Sequence, residues 1–204
     1  MVLAAGADVG DAAGAEVVAK LACGAAVVES DGGPCIDLCG EIAYVELESR
    51  AGPLEDAFLS DAGFSVEVRV RADPADLHFD THRNPVVSRH GPATGWELRL
   101  ARDGGVVFLV TADGVHHEIQ GRHESGAWMH IAASLTSEGV ARLHVDGRLL
   151  GELALPAGAA RSGFDGELLL GRNPAWRDRG ARCRVRGLAL AWEALPPGAL
   201  LSEP

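Results

Sequence analysis

From Phe64 to Arg71 apolar and polar residues alternate at every position, with Phe64, Val66, Val68 and Val70 on one side and Ser65, Glu67, Arg69 and Arg71 on the other. A period of two held this long describes a strand with one buried face; a helix, with its longer period, would scatter the same residues around its surface. The signal recurs along the chain. Ala43, Val45 and Leu47 alternate with Tyr44, Glu46 and Glu48, Trp96, Leu98 and Leu100 with Glu97, Arg99 and Ala101, and Ala141, Leu143 and Val145 with Arg142, His144 and Asp146. Residues 106–110 are apolar on both faces, and further short strands are expected at 86–89, 115–120, 128–135, 149–155, 168–170 and 182–192. Turns containing glycine separate them, as at Asp103-Gly104-Gly105, Asp113-Gly114 and Asp146-Gly147, the residue pairs that tight hairpins favour. Roughly ten to twelve short strands without helices between them predict an all-β fold of two packed antiparallel sheets. Only residues 11–21, with Asp11 as N-cap, and 196–202 offer helical readings. The expected organisation is an N-terminal appendage over 1–21, a sandwich over 22–196 and a C-terminal tail over 197–204.

Two hundred and four residues suffice for one domain of this kind. With 47% hydrophobic and 23% charged residues the chain has an ordinary globular composition, which excludes disorder for its bulk. No apolar run approaches the ~18 residues of a spanning helix, so no membrane insertion is expected. The first 25 residues carry Asp8, Asp11 and Glu16 and no basic n-region, so they do not read as a secretory signal and the chain is cytoplasmic on its face. Its net charge of −11 is unevenly spread, since residues 1–61 hold twelve acids against Lys20 and Arg50. Such an acidic chain lacks the broad positive footprint of a nucleic-acid binder. The second half carries one arginine cluster: Arg172, Arg177, Arg179, Arg182, Arg184 and Arg186.

Loops carry the recognition chemistry of a sandwich, and the loop from Asn173 to Gly180 is the richest in it. Trp176 offers an indole for a sugar face or a cation, while Asn173, Arg177, Asp178 and Arg179 offer directional hydrogen bonds. These five are the predicted ligand-binding residues; alternatively, Trp176 folds back to cover one end of the sandwich. His78, Asp80 and His82 stand at i, i+2 and i+4, and in an extended segment they would aim three metal-ligating groups the same way. The other reading of that stretch is a polar loop. Cys35 and Cys39 lie four apart in a strand-like segment, where a disulfide is difficult and two plain thiols are expected.

Taken in order, residues 43–47, 64–70, 128–132 and 143–147, then 170–173 and 187–195, resemble successive strands of the laminin-G-like domains of the concanavalin A-like lectin/glucanase superfamily. The resemblance spans about residues 24–195. It implies a two-sheet antiparallel jelly roll, with the Trp128 indole in the core and Asp146-Gly147 as a hairpin turn. It implies no single activity. Retaining glucanases of the superfamily carry Glu-x-Asp-x-x-Glu on one strand, a spacing this chain lacks; Glu46 and Glu48 come nearest, without the other acid. Lyase-like members need a tyrosine–histidine pair, so a cavity joining Tyr44, His144 and Arg99 would mark an enzyme. Many relatives hold a structural calcium, for which Asp31, Asp37, Glu41, Asp56 and Asp61 offer hard oxygen ligands. No other cofactor is expected. The resemblance also puts the early strand beside the closing one, with Glu46 or Glu48 in salt-bridge reach of Arg184 or Arg186; the competing reading is that these arginines line an open concave face and hold an anionic ligand, such as a uronic acid or a sulfated glycan, through bidentate contacts. The function it implies is a non-catalytic binding module for a glycan or a protein surface, in a family that is often extracellular. Two alternatives stand beside it: a small enzyme on the same scaffold, carbohydrate-active or an isomerase or cyclase, and an accessory structural domain of a larger assembly.

Overall fold

The computed structural model describes residues 2–4, 17–31, 33–39, 43–49, 63–91, 93–123, 126–156, 167–176, 178–191 and 193–201. Among them the chain forms β1 (Val2–Ala4), β2 (Val17–Ala22), β3 (Ala26–Ser30), β4 (Gly33–Asp37), β5 (Tyr44–Ser49), β6 (Gly63–Arg71), β7 (Pro85–His90), β8 (Gly95–Leu100), β9 (Gly105–Ala112), β10 (Val115–Arg122), β11 (Met129–Thr136), β12 (Val140–Val145), β13 (Arg148–Ala154), β14 (Leu168–Leu170) and β15 (Arg184–Ala191). Two 3-10 turns, Pro74–Asp76 and Thr81–Arg83, interrupt the strands. One antiparallel sheet runs β13-β12-β11-β6-β15-β4-β3, with β1 also paired to β15; the other runs β10-β9-β8-β7-β14-β5-β2.

The alternation that predicts each strand also sorts its side chains. Phe64, Val66, Val68 and Val70 of β6 face the second sheet and are buried, as are Leu98, Leu143 and Val145. Phe64 stacks on Trp96 across the sandwich at 5.3 Å between ring centroids and meets Phe108 edge-on at 6.3 Å, so three rings join the two layers. Asp113 and Gly114 (φ 50° and 75°), and Asp146 and Gly147 (φ 48° and 75°), are both left-handed at the two central positions. A primed two-residue hairpin requires that geometry, and these turns join β9 to β10 and β12 to β13.

Four expectations change. The helical reading of 11–21 fails over its described part, because Val17–Ala22 is β2, paired with β5 from Val17↔Ser49 to Ala22↔Tyr44; the β-branched pair Val17 and Val18 favours the extended chain. Residues 11–16 lie outside the described residues. The 196–202 stretch forms turns, not helix, as far as Leu201. The core indole is Trp96, fully buried, whereas Trp128 is half-buried on the outer face of the first sheet, its neighbour Met129 pointing inward instead. Finally, β5 and β15 lie in different sheets. Glu46 stands opposite Lys20, and the arginines of the closing strand meet a different acidic stretch: Arg184 Nε lies 3.7 Å from Asp37, and Arg186 Nη2 donates to the Asp31 carbonyl at 2.5 Å. The acidic N-terminal third does answer the arginine cluster, but from β4 and the β3–β4 turn.

Candidate ligand-binding site

The outward residues of β6 are the polar half of its alternation. On neighbouring β11, His130 stands opposite Arg69, and on β15 Gly187 does, leaving a low floor between them. Over this floor lies a groove of about 590 Å³, the size range of small-molecule sites. Arg69, Trp128, His130, Asp146 and Arg186 line it from the sheet, and Pro197, Gly198 and Leu201 from the C-terminal segment. The Arg186 guanidinium sits 4.2 Å over the Trp128 ring, a cation–π contact that fixes both side chains. Asp146 is held twice: its Oδ1 accepts from the His130 backbone N–H at 2.8 Å, and its Oδ2 lies 2.6 Å from His123 Nε2.

Of the donors in this wall, Arg186 Nε has no partner within hydrogen-bond distance, whereas the Trp128 indole N–H lies near enough to the Asp31 carboxylate to help lower its pKa. The same carboxylate accepts from Ser30 and faces Arg71. Buried polar atoms are ordinarily paired, so the unpaired Arg186 Nε calls for an acceptor.

Beneath the groove, the Glu67 carboxylate is almost fully buried. It accepts from the backbone N–H groups of Gly198 (2.9 Å), Leu200 (3.4 Å) and Leu201 (2.9 Å) and lies 3.0 Å from His130 Nε2. Burial pushes its pKa up, but these hydrogen bonds outweigh that and hold it below the usual carboxylate range.

The loop marked in the sequence lies against the outer face of the other sheet. Asn173 is fully buried; its Oδ1 accepts from the N–H groups of Ala175 and Trp176 at 2.8 and 3.0 Å, and its Nδ2 donates to Glu97 at 3.1 Å. The Trp176 ring packs 5.2 Å from the His90 ring, with the Arg179 guanidinium 4.6 Å above it, and Asp178 pairs with Arg83 at 3.2 Å. Arg177 lies outside the described residues. The polar groups of this loop are thus engaged in its own architecture. Trp176→Ala is expected to lower stability by about 1–2 kcal/mol through lost packing on His90, read as a shift in the urea midpoint.

Below the loop, Arg99 Nε lies 2.9 Å from Glu97, and its Nη1 lies 3.1 Å from Glu118 and 2.7 Å from His82 Nδ1. Burial raises the Glu97 pKa, opposed by Arg99 and Asn173. His90 Nε2 and His116 Nδ1 both lie 2.8 Å from the Thr111 hydroxyl. Nothing in the sequence spacing brings these residues from four strands and two loops together; outward charged positions on a central strand, Glu97 and Arg99, were the available sign of a buried pair.

The other chemical candidates are dispersed. His78, Asp80 and His82 are not extended: His78 Nδ1 accepts from the Asp80 N–H and Asp80 caps the turn Thr81–Arg83, so the three side chains do not converge. No group of three or more metal-ligating side chains occurs among the described residues. Of the calcium candidates, Asp31 and Asp37 face Arg71 and Arg184, while Glu41, Asp56 and Asp61 lie outside the described residues. Cys35, Cys39 and Cys183 are free thiols, and burial with the nearby Asp37 pushes Cys39 up to about 12, far from a reactive thiolate. Tyr44 and His144 lie on opposite sheets, and Tyr44 packs under Arg172 in a cleft of about 200 Å³ with Glu46 and Glu167, so among the described residues no cavity joins Tyr44, His144 and Arg99.

The sequence places this chain in a known family: over residues 41–197 it matches the model of the concanavalin A-like lectin/glucanases superfamily, and it belongs to that family. The fold is shared with the binding domain of Paraclostridial mosquitocidal protein 1 (TM-score 0.72, 16% identity, 95% of this chain and 48% of that one). It is shared too with the receptor binding domain of botulinum neurotoxin C/D mosaic serotype (TM-score 0.72, 11% identity, 95% and 48%). The binding domain of botulinum neurotoxin DC, solved in complex with rat synaptotagmin II, also matches (TM-score 0.62, 11% identity, 90% and 45%). The chain spans about half the length of these structures. At such identities they establish the fold alone. No curated protein matches the sequence.

Proposed function

We propose that this chain is a non-catalytic binding module, and that the groove on the first sheet holds an acidic glycan. The observation that carries this reading is the groove wall itself, where the Arg186 guanidinium, with its Nε unpaired, is stacked on Trp128 and stands in one groove with Arg69. A carboxylate or sulfate on a sugar supplies an acceptor for Arg186, and a guanidinium binds such groups with two parallel hydrogen bonds. Arg69 adds positive charge, and the rim of Trp128 offers apolar surface to a sugar ring. The binding domains that share the fold support a module over an enzyme, as does the separation of Tyr44 from His144.

Calorimetric titration tests the proposal with three probes: a heparin-derived hexasaccharide, oligogalacturonate and neutral laminarihexaose. An acidic probe binds and the neutral one does not, and Arg186→Ala weakens binding by about 1.5–3 kcal/mol, the scale of a hydrogen bond to a charged group. Equal binding of the neutral probe, or an Arg186→Ala protein that binds as well as the parent, would remove the acidic-glycan reading. Binding of a protein ligand alone would redirect it to a protein surface.

A further inference from the structure

We propose that residues 196–201 form a docked strap that serves as one wall of the groove, and that Glu67, which lies beneath the groove without lining it, is the residue that positions this wall. The inference rests on the groove being the binding site. Its own basis is the attachment of the strap to the sheet. Residues 193–201 form no strand. They are fastened instead by two outward side chains of β6, two positions apart. Ser65 Oγ donates to the Glu193 carbonyl at 2.8 Å and accepts from the Leu195 N–H at 2.7 Å, which fixes where the segment leaves the closing strand. Glu67 then gathers the N–H groups of Gly198, Leu200 and Leu201 onto one carboxylate. Three donors from one short segment converging on a single buried anion is an arrangement in which the segment detaches as a unit if the anion is altered.

The same segment presents Pro197, Gly198 and Leu201 to the groove, facing Arg69, Trp128 and Arg186. The floor and back of the groove therefore belong to the rigid sheet, while its remaining wall depends on Glu67. A ligand filling the groove gains contact with the strap only when the strap is docked, so docking and binding reinforce each other. Gly198 gives a second way to loosen the strap that leaves the sheet alone. Its φ is +80°, a conformation that side chains rarely adopt, and nothing lies within 4 Å of a Cβ added there.

Hydrogen exchange of the strap amides, measured with and without the heparin-derived hexasaccharide, tests this. Glu67→Gln replaces one acceptor oxygen by an NH2 group facing strap donors, and should speed exchange at Leu200 and Leu201 by about tenfold or more while leaving β6 and β11 protected. Gly198→Ala should do the same to a smaller degree. Both variants should bind the hexasaccharide about threefold or more weakly, and the hexasaccharide should slow strap exchange in the parent protein. Unchanged strap exchange in both variants would overturn the role of Glu67. A strap released with no loss of affinity, or hexasaccharide binding that leaves parent strap exchange untouched, would overturn the wall while the groove stands. A parent protein that binds neither acidic probe would remove the groove reading itself, and the wall with it.

Discussion

Arg99→Met is expected to destabilise the protein by about 3–5 kcal/mol at neutral pH, the penalty for leaving one member of a buried ion pair behind. The Arg99 and Glu97 side chains are 4% and 0% exposed, and two guanidinium nitrogens lie 2.9 Å from the same carboxylate oxygen. Without Arg99 the carboxylate keeps Asn173 as a donor but loses its adjacent cation. Burial already raises the Glu97 pKa, and removing Arg99 raises it further. The sign of the pH dependence follows. A carboxyl whose folded pKa is raised holds its proton in the folded state after the unfolded chain, at about 4.3, has released it. The penalty of Arg99→Met should therefore be smallest near pH 4 and grow toward pH 7, and Glu97→Gln in the same background should recover part of it. Urea denaturation at both pH values measures this. A loss below about 1 kcal/mol, or one equal at the two pH values, would show that the pair is not buried as described.

Acidification should act through His90. Burial, with help from the charges of His116, Arg99 and Arg179, lowers its pKa to about 4. The unfolded imidazole takes its proton near pH 6.5. Between those values the unfolded chain binds a proton that the folded one refuses, so stability falls as pH drops, by about 3 kcal/mol over the whole window. His90→Gln keeps a group able to reach the Thr111 hydroxyl and removes the titration. The stability difference between parent and variant should therefore narrow or reverse in the variant's favour by about that amount from pH 7 to pH 4. The depressed carboxyls of Asp37 and Glu67 lose their contributions at lower pH, and they are common to both proteins, so they cancel in the difference. Parallel stability curves for the two proteins would contradict the assignment.

The sandwich was legible from β5 onward because one face of each strand is buried, which writes the period of two into the sequence. Phe64 to Arg71 shows this, with every apolar position inward. The first two strands were not legible, and β3 and β4 showed only as a strand-like stretch without clear bounds. Val17–Ala22 and Ala26–Ser30 are edge strands with no clean alternation, and Gly33-Pro34 opens β4 with residues that usually break strands. The exchange of Trp96 for Trp128 in the core has a similar cause. Trp128 sits beside apolar Met129 and could face either way, and only the register of Met129 opposite Val70 shows that Trp128 turns outward. The groove was hidden for a topological reason. Arg186 appeared in a cluster, as a partner of the early strand or as part of an open anion-binding face, His130 and Asp146 as architecture, and the strap as a tail; β6, β11, β15 and the β12–β13 turn bring them together with Arg69 only in the folded sheet. The tryptophan loop was conspicuous in sequence because turns collect polar residues, but in the fold Asn173 and Asp178 bind the protein itself.

The indole N–H signals of the tryptophans separate the groove from the loop in one experiment. In a two-dimensional nitrogen–proton spectrum recorded during titration with the heparin-derived hexasaccharide, the Trp128 signal should move steadily and saturate as the hexasaccharide fills the groove that Trp128 lines. The signals of Trp96, in the core, and Trp176, packed against His90, should stay in place. Movement of Trp176 with Trp128 unmoved would contradict the groove and return the site to the loop from Asn173 to Gly180.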